Sequence, residues 1–343
     1  MKRFEGFTKG INFGGWLSQC RHTQEHYRSF ITENDVAKVA SWGLDHVRVP
    51  VDYELVETNE GGYREEGFAF IQDAIGWCRK HGLNMILDLH KTYGYSFDEG
   101  YGESGFFDSA AYQERFYRLW EEFARRFGGN ADMLAFELLN EVTLKDYCEI
   151  WNQIADTCIG RIRRICPDVK ILVGGYYNNS IRAVPDLRPP HDGNIVYNFH
   201  CYEPLIFTHQ GAYWIKTMDT SFRMPFDASY GFYRQACREQ LSEEYTNFPA
   251  DATDDQTVTD AYFENLFAPA LKAAEERDVA LYCGEYGVIN LASAEDTLKW
   301  YRAISTVLAR HGIGRAAWSY KEMDFGLADA HLDGVRDQLL KCL

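Results

Sequence analysis

The chain has no C-x-x-C pair, no apolar run approaching the roughly 18 residues of a membrane span, no internal repeat and no Pro- or Ser-rich linker. Each absence closes a class. Nine cysteines, an odd number, are scattered through apolar and helical patterns, so reduced thiols and a reducing setting are expected rather than a disulfide framework. Positive charge is scarce: 35 Lys and Arg stand against 51 Asp and Glu, a net charge of −16. Such a field repels phosphate backbones and anionic lipid, so neither nucleic acid nor a membrane is expected as a partner. The opening MKRFEGFTKG lacks the apolar stretch of a secretory signal. The expectation is a soluble, cytoplasmic chain as written, secreted only if a leader has been removed. Neither H-x-H on the first strand nor H-E-x-x-H occurs, so no metal is expected in the chemistry. What remains is ordinary globular usage, 46% hydrophobic and 25% charged, with a high 15% of aromatic residues.

Apolar runs followed by helical periodicity place eight strands, beginning near Gly10, Asp45, Asn84, Met133, Lys170, Ile195, Val279 and Arg315. Between most of them lies an amphipathic helix, as in Tyr112, Phe116, Leu119, Phe123 and Phe127. Thr32-Glu-Asn-Asp35 has the form of a capping box and Gly43 that of a helix stop. NMILDLH, KILVGG and NIVYNFH are apolar on both faces, as parallel strands covered by helices are. Eight such units predict an α/β fold, a (β/α)8 TIM barrel, with a doubly wound sheet as the alternative. The stretch from Ile195 to Val279 is too long for one crossover. Residues 203–257 within it are therefore expected to form an insertion or subdomain on the catalytic face of a single catalytic domain spanning 1–343, or else a surface excursion with its own small core.

In such a barrel the carboxyl ends of the strands converge on one mouth. The polar residues at those ends are Arg48, His90, Asn140 with Glu141, His200 with Tyr202, and Glu285, and the last strand ends at Trp318. Polar groups following apolar runs are costly to bury unless they pair, so the set points to a site rather than to packing. Glu141 and Glu285 end the fourth and seventh strands and can face each other. Two opposed carboxyls are what glycosidic cleavage requires, one giving the leaving oxygen a proton and the other attacking the anomeric carbon or activating water. Arg48 and Tyr202 can keep one of them charged.

GINFGGW, HVRVP, LDLH, LLNE, NFHCY, YCGEYG and AWSYK together resemble glycoside hydrolase family 5, over nearly the whole chain. The resemblance implies a retaining barrel hydrolase with Glu141 as acid/base and Glu285 as nucleophile. It implies further that Asn140 meets the sugar 2-hydroxyl and that Arg48 and Tyr202 orient the nucleophile. His90 and His200 would line the same subsite, and Trp318 would carry the sugar ring. The closest likeness is to bacterial endo-β-glucanases of the cellulase type, so the expected partner is a β-linked glucan oligo- or polysaccharide and no cofactor is needed. The implied activity is endo-β-1,4-glucanase, with mixed-linkage glucan, exo-β-1,3-glucanase or β-mannanase action on the same scaffold, or non-catalytic glycan binding, as alternatives. Trp16, Tyr93, Tyr95 and Trp214 are candidates for further sugar platforms, which would give the aromatic content a use.

Two signals are set aside. GYGESG, Gly100 to Gly105, matches a dinucleotide fingerprint but lies well past its strand and beside acidic Glu99 and Glu103. Asn178-Asn-Ser matches a glycosylation acceptor without an export signal to accompany it.

Overall fold

Strands that are buried on both faces have nowhere to lie except between a packed interior and a shell of helices. In the computed structural model, which describes residues 1–98, 102–241, 248–249 and 252–343, every residue of β2 (His46–Asp52), β6 (Ile195–Cys201) and β7 (Ala280–Tyr286) is buried. With β1 (Lys9–Asn12), β3 (Asn84–Lys91), β4 (Leu134–Glu137), β5 (Lys170–Val173) and β8 (Gly314–Ala317) they close in sequence order into one parallel barrel. The fold is the (β/α)8 barrel, and each strand begins within one residue of its expected position.

The helices form where the pattern places them. Thr32 and Asp35 cap the helix Glu33–Ser41 reciprocally, and Gly43 follows its end at φ 77°. The helices Glu65–His81 and Ala110–Phe127 present Phe68, Ile71 and Ile75, and Phe116, Leu119 and Phe123, to the barrel. Much of the aromatic content is structural. Trp120, Trp151 and Trp300 are fully buried on helices, and their indole N–H groups donate to the carbonyls of Leu138, Gly174 and Glu203, just beyond β4, β5 and β6. They fill the layer between helices and sheet while satisfying backbone acceptors where the strands stop. Inside the barrel, Ile86, Ala135, Leu172, Val196, Ala280 and Ala316 pack under Phe4, Phe7 and Tyr282. His46 joins this floor by bonding the Tyr282 hydroxyl at 2.6 Å, and the charged network gathers at the opposite end.

Between β6 and β7 the chain makes a long excursion containing the helix Tyr230–Gln240. Ala212 and Ile215 of this excursion pack with Trp318, Phe325 and Ile289. Farther along, Tyr230 and Tyr233 pack on Phe248, which also meets Tyr262 of the helix Asp260–Glu276. The excursion thus touches the barrel mouth at one end and has aromatic packing of its own at the other. Asp251, and Glu99 with Gly100 and Tyr101 at the start of GYGESG, lie outside the described residues.

Candidate active site

Parallel register sets the heights of the inward side chains. Arg48 of β2 pairs with Asn12 of β1, Asp88 of β3 with Glu137 of β4, and His200 of β6 with Glu285 of β7. Shifts of register at Phe199/His200 and between Cys283 and Tyr286 lie at this level, where bulges re-aim side chains. Gly284 is required beside Glu285, because a Cβ there would lie 2.6 Å from Asn198 Oδ1, the acceptor of the Gly284 amide.

Arg48, fully buried, organises the centre. Its Nε and Nη2 donate to the two oxygens of Glu137 (2.7 and 2.8 Å), and its Nη1 donates to Asn12 (2.9 Å) and Glu285 Oε1 (2.7 Å). Nη2 also donates to Asn140 Oδ1 (2.9 Å) and lies 3.0 Å from Asp88 Oδ2. One guanidinium therefore faces three buried carboxylates. His90 and His200 complete the balance. Burial alone would lower both, but Asp88 at 2.6 Å raises His90, and Glu285 with Glu141 raises His200, so each lies above the ordinary imidazole value. Burial likewise pushes Glu285 up, yet His200, Arg48, His90 and the Tyr202 hydroxyl outweigh it and hold the carboxyl below its usual value. For Glu137, burial and Asp88 prevail over Arg48 and the carboxyl lies above it.

Replacing Arg48 by methionine leaves these carboxylates without their shared cation. The expected cost is about 3–5 kcal/mol in denaturant unfolding at pH 7, and a smaller one at pH 4, where the carboxyls take up protons. An unchanged stability, or an equal loss at both pH values, would contradict this balance.

Glu141 stands just past β4, at φ 40°. The Tyr95 hydroxyl bridges this turn, donating to the Glu141 carbonyl (2.7 Å) and accepting from the Thr143 amide (2.9 Å). The Glu141 carboxyl meets His200 Nδ1 at 2.7 Å through Oε1 and accepts from Asn178 Nδ2 at 2.9 Å through Oε2. Glu285 Oε2 accepts from Tyr202 (2.9 Å) and lies 3.6 Å from the same His200 Nδ1. A carboxylate oxygen of Glu141, one of Glu285 and a His200 ring nitrogen all fall within 4.8 Å of one another. Their atoms already engage the Arg48, Tyr202 and Asn178 donors, an arrangement suited to hydrogen bonding rather than to a bare cation. His22, Asp52 and Glu54 form a second such group, with Asp52 bonded by Ser18 and the Gln19 amide, and Glu54 by Lys91.

All eight residues expected from the strand ends converge on this mouth. Trp318 lies parallel to His90, with ring centroids 5.9 Å apart, and Asn140 Nδ2 approaches His90 Nε2 at 3.5 Å. The further aromatic platforms fare differently. Trp16 is fully buried against Trp77, and Tyr95 is tied by its hydroxyl into the Glu141 turn, so neither is a sugar platform. Tyr93 is half-buried under Arg115 and against Tyr53, and Trp214, 42% exposed, is the most open of the four. Sequence reasoning missed Asn12, Asp88, Glu137 and Asn198. Asp88 and Asn198 each precede a predicted residue by two positions, which puts them on the same inward face. It also missed Asn178, whose side-chain nitrogen is committed to Glu141 rather than free to carry a glycan. In the GYGESG segment, Glu103 accepts from the Tyr53 hydroxyl and the Gly94 amide, a structural role.

The sequence model of the family described as Cellulase (glycosyl hydrolase family 5) matches residues 8–324. Cellodextrinase A of Ruminococcus flavefaciens is 49% identical over 92% of this chain and 86% of its own length. Endoglucanase C of Acetivibrio thermocellus is 35% identical over 98% of both. Among solved structures, Thermotoga maritima Cel5A in complex with mannotriose shares the fold at a TM-score of 0.76 and 21% identity, with 98% of this chain and 97% of that one covered.

Proposed function

Because the chain belongs to the cellulase family, glycosyl hydrolase family 5, and is thereby a glycoside hydrolase, we propose that it cleaves β-1,4-glucan chains and their soluble oligomers with retention, using Glu285 as nucleophile and Glu141 as acid/base. The observation that carries this reading is the separation of under 4.8 Å between carboxylate oxygens that share His200. Retaining hydrolases hold their carboxyls about 5–5.5 Å apart, whereas a gap of roughly 6.5–9.5 Å is needed to seat a water and invert.

The roles follow from the partners. A nucleophile must be ionised, and Glu285 has Arg48, Tyr202 and the His200 ring around it. Glu141 has no guanidinium partner among the described residues, and its carboxyl meets only Asn178 and His200. A Glu285 oxygen bonds to the anomeric carbon as the bond to the leaving oxygen breaks, and that oxygen takes the proton of Glu141. Then Glu141 removes a proton from water, the water oxygen bonds to the anomeric carbon, and Glu285 departs as carboxylate. Asn140, held by Arg48, presents its amide nitrogen to the sugar, and Trp318, parallel to His90, borders the same subsite.

The names of the two relatives, a cellodextrinase and an endoglucanase, support β-1,4-glucan and its short oligomers as the proposed substrates. Residues 203–257 would then wall the cleft of a single catalytic barrel, through Ala212 and Ile215 beside Trp318. A panel of β-1,4-glucan, mixed-linkage glucan, β-1,3-glucan, β-mannan and cello-oligosaccharides, with product lengths measured, tests the substrate. Cleavage of β-1,4-glucan and cello-oligosaccharides into short products supports it, and preference for mannan or β-1,3-glucan overturns it. No described helix is long and apolar enough to cross a membrane. All nine thiols are free, which fits a reducing compartment.

A pH prediction follows. Glu285 must be ionised to attack and is held below its usual value, so the acid limb of kcat/KM should fall below the ordinary glutamate range. Tyr202→Phe removes one donor to the carboxylate and should move that limb up. A limb that stays in place, or moves down, would contradict the assignment of that group.

A further inference from the structure

Beyond β5 the backbone does something costly. Tyr177, Asn178 and Asn179 all lie in the left-handed region, at φ 51°, 57° and 55°. Non-glycine residues enter that region singly and at about 1–2 kcal/mol each, asparagine most readily. Three in succession persist only where surrounding structure holds them. Here the holding bonds go to the turn that carries Glu141. The Tyr177 amide donates to the Thr143 carbonyl (3.1 Å) and the Asn178 amide to the Val142 carbonyl (2.9 Å). The Asn178 side chain then reaches Glu141 Oε2 at 2.9 Å. Asn178 therefore holds the turn through its backbone and the carboxyl through its amide, while Asn179 Nδ2 approaches His200 Nε2 at 3.5 Å on the opposite side of the same network.

We propose that Asn178 is a positioning residue that aims Glu141 at the leaving-group oxygen by holding its carboxyl through the bond to Oε2. The inference rests on the reading of Glu141 as acid/base. An amide nitrogen only donates, so it takes up a lone pair of Oε2 and fixes which lone pairs remain for the proton. The other groups facing this carboxyl are His200 at 2.7 Å, Glu285 within 4.8 Å and the Tyr202 phenol, with Tyr95 on the Glu141 carbonyl. All of them act from β6, β7 or the turn after β3. Asn178 is the contribution of the β5 turn, and being exposed on its outer side it can be changed without opening the core.

Asn178→Gly and Asn178→Asp both tolerate the left-handed backbone, so the fold should survive each. The glycine variant deletes the donor, and the aspartate variant sets a like charge against Glu141. For both, kcat/KM on cellotetraose should fall about tenfold or more, and its alkaline limb should move up, by about one pH unit for the aspartate. On 2,4-dinitrophenyl β-cellobioside, whose leaving group needs no proton, kcat/KM should stay within about twofold. Equal losses on both substrates, or an alkaline limb that moves down or stays in place in both variants, would overturn the proposal. Glu141→Ala separates the two readings. If that variant loses both substrates equally and azide restores nothing, the acid/base assignment itself fails. If it keeps the aryl substrate while the Asn178 variants show neither the substrate split nor the shift, the positioning role alone fails.

Discussion

Glu285→Gln is expected to lower kcat/KM on cello-oligosaccharides by about 10⁴-fold or more, because the group that forms the glycosyl bond is gone, while oligosaccharide affinity stays within about tenfold. The amide is nearly isosteric with the carboxylate, and its oxygen can still accept from Arg48 Nη1, which lies 2.7 Å from Glu285 Oε1. Its nitrogen then faces Tyr202, whose hydroxyl can rotate to accept instead of donate. The guanidinium keeps Glu137 and Asp88 as partners, so the mouth should keep its shape. Turnover measured beside calorimetric binding of cellotetraose separates the two effects. Equal activity in the two proteins would remove Glu285 from the chemistry.

Glu141→Ala should divide substrates by leaving group. Hydrolysis of cello-oligosaccharides should fall about 10²–10⁴-fold, the usual contribution of a placed proton donor. An activated aryl glycoside should still glycosylate Glu285, because its leaving group departs without a proton. The ester then waits for water that no base activates. Azide, an anion that needs no deprotonation, should enter the space left by the side chain, bond to the anomeric carbon and displace Glu285, giving the β-glycosyl azide and a faster turnover. Product analysis by mass spectrometry and NMR checks this, and no rescue with no azide adduct would contradict the assignment of Glu141. The His200 and Asn178 donors now on the carboxyl would be left in the pocket, which should help to hold the anion.

The strands were legible because parallel strands buried on both faces write themselves as unbroken apolar runs, as in NMILDLH and NIVYNFH. The site was legible where a strand stops on a polar residue: His90 and Glu285 each end such a run, and both lie in the mouth. Residues one layer deeper were harder to see. Asp88 and Glu137 sit inside apolar strands and carry no sign in the sequence of the guanidinium they share. The alternation of strand side chains recovers Asp88 from His90, but Glu137 follows only from the register of β4 against β3. Asn178 had no signal at all, since its approach to Glu141 depends on three consecutive left-handed residues that composition does not announce. Aromatic residues misled in the opposite direction. Trp16 and Tyr95 look as suitable for a sugar as Trp214 does, and only their partners in the fold, Trp77 and the Glu141 turn, distinguish them.

The account rests on two carboxyls close enough that no water fits between Glu285 and the sugar. The most direct measurement is proton NMR of the anomer first released from a β-linked cello-oligosaccharide, read before mutarotation. The β-anomer is the predicted product. The α-anomer would mean a single displacement by water, and would contradict a covalent bond through Glu285.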